Sequence, residues 1–263
     1  MTITIFTSNQ PRHLSLIRDL SKISKKVYAI IEVSTVFPGE VKDFYNNSPI
    51  MNKYFQKVRN SEISFFGNIS FLPPNVKPII IKSGDLNKIK LNILSEGLNS
   101  DKYIVFGSSY IKGPLIDFLI NKNTYNIHMG VSPYYRGSSC NFWASYNGDY
   151  NMIGSTIHML SKGLDSGPIL FHCLPNFEKN IFDFSMRSVL SAHKGIVEMI
   201  KTKRIDSFKK HPQNKSSEIF YSKKIDFNDK IVSEYLRDIK FQKLNKSKVV
   251  NRDKSIYINP FFY

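Results

Sequence analysis

Short apolar runs alternate with amphipathic stretches along the first 120 residues of the chain. Runs rich in β-branched and aromatic residues predict strands over 2–6 (TITIF), 27–33 (VYAIIEV), 78–81 (PIII) and 102–107 (KYIVFG). Helix-like stretches lie between them, over 13–22, 86–97 and 113–120. Because strands that alternate with helices form βαβ units, the pattern predicts an α/β fold with a mostly parallel sheet. The segment 36–75 is rich in Phe, Asn and Pro, and we assign it no element.

The second half of the chain continues this pattern and then changes character. Further strands are predicted over 124–127 (TYNI), 153–160 (IGSTIHML) and 168–174, and a helix is predicted over 183–203, where apolar residues recur every three to four positions. Beyond about residue 206 the chain is rich in Lys and Asn, with one short amphipathic helix predicted over 228–239. We therefore predict one α/β domain over 1–205, followed by a small C-terminal extension over 206–263.

Composition excludes several classes of protein and leaves others open. Hydrophobic residues make up 41% and charged residues 22%, which is typical of a soluble globular protein. The two cysteines provide no disulfide framework, and the six histidines form no metal-binding motif. No signal peptide and no membrane-spanning run is visible, so we expect a cytoplasmic protein with no membrane partner. The net charge of +16 favours anionic partners.

Three polar residues carry the candidate chemistry. Asn126 and His128 are two positions apart on a predicted strand, so they share a face at the carboxyl end of the sheet, where open α/β sheets bind ligands. Asp165 lies in a turn between Gly163 and Gly167. An amide, an imidazole and a carboxylate suit acyl transfer to an amine. The amide and imidazole can stabilise an oxyanion, and the carboxylate can orient the imidazole or relay the amine proton.

The segments NIHMGVSPYYRGSSCNFWASYNGD (126–149) and GSTIHMLSKGLDSGPIL (154–170) contain these residues at a characteristic spacing. They resemble the folate-dependent formyltransferase family, whose pattern is an N-x-H strand end, a proline loop ending in R-G, and then G-x-D-x-G-P. The family includes glycinamide ribonucleotide formyltransferase, methionyl-tRNA formyltransferase and the sugar N-formyltransferases. Two departures lie in the proline loop: Gly130 stands where many members carry Ser, and Val131-Ser132 replaces a common Leu-Leu.

The resemblance implies a Rossmann-like catalytic domain over 1–205 that uses N10-formyltetrahydrofolate as co-substrate and needs no metal. It assigns catalysis to Asn126, His128 and Asp165. It also implies a pterin pocket, with one wall formed by the strand-end stretch Ser109, Tyr110, Ile111 and Lys112 and the other wall by Gly163 and Leu164.

The acceptor amine is a separate question. The C-terminal extension is too short for the β-barrel domain with which methionyl-tRNA formyltransferases bind tRNA. The loop after the first strand lacks the glycines that glycinamide ribonucleotide formyltransferase has there. The start SNQPRHL and the segment FYSKKIDFNDKI resemble the sugar N-formyltransferases. We therefore expect a nucleotide-linked 4-amino-4,6-dideoxy sugar of O-antigen biosynthesis as acceptor. The candidate substrate-binding residues are Asn9, Gln10, Arg12, Tyr135 and Arg136.

Two alternative functions and the oligomeric state stay open. A methionyl-tRNA formyltransferase-like enzyme shares the same catalytic residues. A nucleic-acid-binding protein would explain the Lys-rich tail, 201–254, but the chain has no RNP, KH or zinc-finger signature, and acidic residues such as Asp226 and Glu234 interrupt the tail. We therefore do not expect nucleic acid as a partner. A homodimer that uses the C-terminal extension is compatible with the sequence.

Overall fold

The structure, a computed structural model, describes residues 1–33, 48–68, 71–237 and 253–263. These residues include ten strands: β1 (Thr2–Ser8), β2 (Lys26–Val33), β3 (Val76–Lys82), β4 (Lys102–Phe106), β5 (Tyr125–His128), β6 (Tyr135–Gly137), β7 (Ser155–Met159), β8 (Ile169–Leu174), β9 (Phe220–Ser222) and β10 (Phe261–Phe262). Eight of them form the main sheet, in the order β10-β8-β7-β5-β4-β1-β2-β3. The other two, β6 and β9, pair with each other.

The main sheet is mostly parallel, which confirms the predicted fold class. Parallel pairing joins β5, β4, β1, β2 and β3, and it also joins β10 to β8. The exception is β7, which runs antiparallel to both β5 and β8. All seven strands predicted from the sequence are present in the sheet.

The described residues form six α-helices: α1 (Pro11–Ser21), α2 (Pro49–Phe66), α3 (Gly113–Asn121), α4 (Cys140–Tyr146), α5 (Ile181–Lys201) and α6 (Asp229–Arg237). The helices predicted over 13–22, 113–120 and 183–203 correspond to α1, α3 and α5. The helix predicted over 228–239 corresponds to α6, although residues 238 and 239 lie outside the described residues. No described helix combines the length and apolar character needed to cross a membrane.

Two assignments from the sequence are corrected. The predicted helix over 86–97 is instead two short 3-10 turns, Leu86–Lys88 and Leu91–Leu94. The helix α2 lies inside the segment 36–75, to which the sequence assigned nothing; 36–47 and 69–70 of that segment lie outside the described residues. Ser48 caps α2 by accepting a hydrogen bond from the Met51 amide, and a proline opens its first turn.

Helices cover both faces of the sheet. Because successive strand residues face opposite sides, Ile3 and Ile5 of β1 join a core that includes residues of α1 and α5, whereas Phe6 joins the core beneath α3. A third apolar cluster brings α4 and α6 together with the start of α5. The described part of the extension packs against the rest of the chain, since β9 pairs with β6 and β10 extends the main sheet.

Candidate active site

The carboxyl end of β5 carries the first two candidate catalytic residues. Asn126 and His128 share a strand face, as predicted, and the antiparallel register pairs Asn126 with His158 on β7. His128 is buried, whereas Asn126 is half-buried. The parallel strands β4 and β1 end at the same edge of the sheet, which makes this edge the place where a ligand crevice can form.

The turn after β7 brings Asp165 to the same point. Its carboxylate Oδ2 lies 3.2 Å from His128 Nδ1, and Oδ1 accepts a hydrogen bond of 3.2 Å from Asn126 Nδ2. The three side chains that the sequence singled out therefore converge. Asp165 has a φ of 45°, a left-handed conformation that is costly for a residue with a side chain.

His158 is a fourth member of this cluster, which the sequence did not single out. Its Nε2 lies 2.9 Å from Asn126 Nδ2 and 3.7 Å from Asp165 Oδ1. Its Nδ1 lies 2.8 Å from the Met159 carbonyl, which can only accept, so the proton is assigned to Nδ1 and Nε2 accepts from Asn126. Both amide hydrogens of Asn126 are then engaged, one by His158 and one by Asp165.

The electrostatics of the cluster favour an ionised pair. Burial opposes a charge on the His128 ring, but the Asp165 carboxylate and then the Cys140 side chain outweigh it, so the pKa of His128 is raised above its ordinary value. Burial likewise opposes a charge on Asp165, but the adjacent His128 ring outweighs it and holds the pKa of Asp165 well below its usual range. Both shifts favour an ion pair between a protonated His128 and an ionised Asp165.

The proline loop packs against the other nitrogen of His128. Nε2 lies 3.4 Å from the Tyr135 carbonyl, a long contact for a hydrogen bond. Thr156 Oγ1 anchors the loop, because it donates to the Gly130 carbonyl at 2.6 Å and accepts from the Ser132 amide at 2.9 Å. Steric crowding explains why a glycine stands at position 130, where many members of the formyltransferase family carry Ser. A Cβ at Gly130 would lie 2.6 Å from Cys140 Cβ and 2.8 Å from His128 Nε2.

A cavity of about 220 Å³ opens beside these side chains, between the loop after β4 and the turn after β7. Its lining includes Asn126, His158 and Asp165. Five of the six predicted folate-binding residues also line it: Ser109, Tyr110, Ile111, Gly163 and Leu164. The sixth, Lys112, is not in the lining; its amide donates to Asn87 Oδ1 at 2.7 Å.

Buried side chains hold the loop that forms one wall of this cavity. Glu32, which is 2% exposed at the end of β2, accepts hydrogen bonds from the Ser109 amide at 2.5 Å and from the Gly84 amide at 2.9 Å. The Tyr110 hydroxyl donates to the Lys162 carbonyl and so connects the two walls. The cavity is thus set by fixed contacts on both sides.

The candidate substrate-binding residues of the first loop have partners within the chain. Arg12 Nη1 forms an ion pair of 2.9 Å with Glu62 Oε1, and the same oxygen accepts the Arg12 amide at 3.0 Å. The carboxylate of Glu62, which is buried on α2, therefore sits where an anion at the start of α1 would sit. The Gln10 side chain is buried, and Asn9 Oδ1 accepts from Ser8 Oγ at 3.5 Å.

The two predicted substrate residues of the proline loop also have internal partners. Tyr135 is fully buried, and its hydroxyl donates to Asp149 Oδ2 at 2.5 Å. Arg136 donates to Glu218 at 3.0 Å and to the Leu164 carbonyl at 3.2 Å. Substrate binding by Tyr135 and Arg136 stays a prediction, and Arg136, like Arg12, forms an ion pair with a glutamate of the chain. Within the described ranges, no group of three or more His, Cys, Asp or Glu is placed to hold a metal ion.

Comparison with known proteins gives a likeness of fold. No protein-family model and no curated protein sequence matches the chain. Among solved structures, the chain is similar to a 4-N formyltransferase from Francisella tularensis, with 18% identity, a TM-score of 0.53 and coverage of 95% of this chain and 86% of that one. It is also similar to a glycinamide ribonucleotide transformylase from Symbiobacterium toebii, with 17% identity, a TM-score of 0.52 and coverage of 79% of this chain and 88% of that one. A sugar N-formyltransferase from Shewanella has 18% identity and a TM-score of 0.51, with coverage of 86% of this chain and 78% of that one. The chain therefore has the Rossmann-like fold of the formyltransferases.

Proposed function

We propose that this protein is an N-formyltransferase that moves a formyl group from N10-formyltetrahydrofolate to the amino group of a nucleotide-linked 4-amino-4,6-dideoxy sugar. The observation that carries the proposal is the convergence of Asn126, His128 and Asp165 beside a cavity at the carboxyl edge of the sheet. The fold, the spacing of the motif and the protonation states of the pair all agree with it.

His128 is the electrophilic group in this proposal. Its Nδ1–H is directed at Asp165, whereas its Nε2 faces the proline loop and makes a long contact with the Tyr135 carbonyl. His128 is buried and is not among the residues that line the cavity, so in this proposal its Nε2–H donates to an oxygen on which negative charge develops once the contact with the loop is released. Because the pKa of His128 is raised, the ring acts as a hydrogen-bond donor and not as a base. Asn126 can add a second donor if one of its amide hydrogens leaves His158 or Asp165 during the reaction.

Asp165 has two roles in the same scheme. It keeps His128 protonated, and its carboxylate lies where it can relay a proton from the attacking amine to the departing nitrogen. The transfer is then balanced, since the amine loses one proton and the departing nitrogen gains one. A carboxylate of low pKa is a weak base, so Asp165 relays the proton and does not store it.

The cavity fits the co-substrate, which supplies an activated formyl group when bound. Apolar side chains of Val105, Ile111, Ile116 and Leu164 form its walls, as a flat ring requires. Asn126 and Asp165 contribute polar groups to the same lining. Folate is in this way held next to the residues that act on its one-carbon unit.

The identity of the acceptor rests on indirect support. Glu62 already neutralises Arg12 at the start of α1, which disfavours an acceptor that is held there by a phosphate group. The preference for a nucleotide-linked amino sugar over a phosphoribosyl amine rests on the resemblance of the segments 8–14 and 220–231 to the sugar N-formyltransferases. The wider assignment to O-antigen sugar biosynthesis follows from the resemblance of the motifs. A cytoplasmic location and a homodimer remain part of the proposal, the first because the sequence has no visible signal peptide and the second because the extension is compatible with it.

The decisive experiment offers the protein N10-formyltetrahydrofolate together with one acceptor at a time. The panel contains GDP-, UDP- and dTDP-linked 4-amino-4,6-dideoxy sugars, glycinamide ribonucleotide and methionyl-tRNA, and mass spectrometry detects the gain of one formyl unit. We expect formylation of an amino sugar, and its loss in the Asn126→Ala, His128→Ala and Asp165→Ala variants. Formylation of methionyl-tRNA alone would overturn the acceptor, and full turnover in all three variants would overturn the catalytic assignment.

A further inference from the structure

The turn that carries Asp165 is held by side chains from distant parts of the chain. Gln213 Nε2 donates two hydrogen bonds of 2.8 Å, one to the Asp165 carbonyl and one to the Gly167 carbonyl. Because both partners can only accept, the orientation of the Gln213 amide is fixed. Arg136, which is paired with Glu218, donates to the neighbouring carbonyl of Leu164. Three carbonyls of one short turn are bound in this way.

The turn needs such support because its backbone is strained. Asp165 adopts a φ of 45°, and surrounding contacts must maintain this conformation. On the other side the turn lies against β7, since a Cβ at Gly167 would meet the Met159 carbonyl at 1.7 Å. The turn is therefore confined between β7 and the residues that bind its carbonyls. The position of the Asp165 carboxylate depends on both contacts.

Gln213 belongs to residues 211–222, a segment of the C-terminal extension that lies beside the site. His211 and Ile169 exchange two backbone hydrogen bonds of 2.9 and 2.7 Å, which fix the start of the segment beside β8. Its end is fixed by β9, which pairs with β6. Gln213 is anchored on both sides, so it can act as a rigid support for the turn.

We propose that Gln213 is a positioning residue of the active site, which holds the strained turn so that the Asp165 carboxylate meets His128 and Asn126. This inference rests on the proposed function for its effect on turnover. It gives the first part of the extension a role in catalysis through Asp165, without contact to the reacting atoms.

The protonation of His128 reports directly on this positioning. The titratable groups that face the His128 ring are Asp165 from the turn, Cys140 from α4 and His158 from β7, whose ring centroid lies 6.5 Å away. Only Asp165 is held by Gln213. If the turn relaxes, the carboxylate moves away from Nδ1, and burial then lowers the pKa of His128.

The test compares Gln213→Met, which keeps the length of the side chain but removes both donors, with Gln213→Leu, which removes both donors with a shorter side chain and adds no charge near His128. Gln56→Met is the matched control, because Gln56 is exposed on α2. His128 is titrated by NMR of its imidazole resonances, which are assigned from the spectrum of His128→Gln. We expect the pKa of His128 to fall by about one unit in both Gln213 variants and to stay unchanged in the control.

Turnover supplies the second readout. We expect kcat to fall roughly 10- to 100-fold in Gln213→Met, as a displacement of about 1 Å at a catalytic group would cause. The KM for the acceptor should change less than about threefold, because Gln213 is proposed to position a catalytic group and not to bind substrate. An unchanged pKa of His128 in both folded variants would overturn the proposal. If the wild type transfers no formyl group, the proposed function fails, while the titration still decides the role of Gln213.

Discussion

Gly130 allows the catalytic geometry to be disturbed without removing any catalytic side chain. In Gly130→Ala the new Cβ would lie 2.6 Å from Cys140 Cβ and 2.8 Å from His128 Nε2, whereas non-bonded carbon atoms prefer about 3.5–4.0 Å. The φ of Gly130 is not in the left-handed region, so space is the only obstacle. Relieving the overlap requires a shift of about 1 Å in the His128 ring or in the start of α4. Such a shift lowers the rate by roughly 100-fold, and overpacking lowers the free energy of unfolding by about 1–3 kcal/mol.

The assay for Gly130→Ala measures kcat for formyl transfer together with the urea midpoint and the NMR signals of the His128 imidazole. Gly97→Ala is the matched control, because its φ is also outside the left-handed region and its Cβ would meet neighbours at an ordinary 3.5 Å. Adding Cys140→Gly removes the contact at 2.6 Å but leaves the one with His128, so stability should recover more than turnover. Wild-type turnover and stability in Gly130→Ala would refute the packing on which this reasoning depends.

Three further predictions concern charge. Asp165→Asn should lower the pKa of His128 and reduce kcat/KM by roughly 10³- to 10⁴-fold, as loss of the carboxylate beside a catalytic histidine does; an unchanged His128 titration would contradict the ion pair. Glu62→Ala should free Arg12 and the start of α1, so that inorganic phosphate raises the melting temperature of this variant and not that of the wild type. His193 is fully buried, and burial lowers its pKa from 6.5 to about 3, so its contribution to stability is present above pH 6.5 and is lost as the pH falls towards 3. Between pH 7 and pH 5 the wild type should lose about 2 kcal/mol of unfolding free energy through His193. Urea unfolding of His193→Leu should show a loss of unfolding free energy over this pH range that is smaller by this amount.

The strands and the shared face of Asn126 and His128 could be predicted because each depends on local sequence. An apolar, β-branched run such as 27–33 specifies a buried strand by itself, and Asn126 and His128 share a face because of their spacing. Asp165 needed the motif resemblance, since no local rule places a turn beside the end of a strand. His158 was missed for a related reason. The pairing of His158 with Asn126 is set by the register of β5 against β7. A long loop separates these two strands, so the sequence of neither strand specifies their register.

Long-range contacts account for what the sequence did not predict. Arg12 and Arg136 are candidate substrate-binding residues, and no local pattern indicates their ion pairs with Glu62 and Glu218, which lie 50 and 82 residues further along the chain. The segment 86–97 has the apolar residues of a helix, but it folds as two short turns, with Leu86 and Leu94 inserted into the core beneath α3. In each case tertiary contacts outweigh the local preference.

The ion pairs of Arg12 and Arg136 bear directly on how the acceptor is recognised. A phosphate that approached Arg12 would have to compete with Glu62, a buried carboxylate only 2.9 Å from the guanidinium, and would leave that carboxylate without its counter-charge. A phosphate at Arg136 would likewise displace Glu218 and weaken the contact to Leu164 beside the catalytic turn. Recognition of an anionic acceptor at either arginine would therefore disturb α1 or the position of Asp165. The surplus of basic residues elsewhere in the chain can supply the cation for a nucleoside diphosphate without this cost. If the acceptor binds elsewhere, the two ion pairs keep the start of α1 and the turn of Asp165 in place while the acceptor is bound.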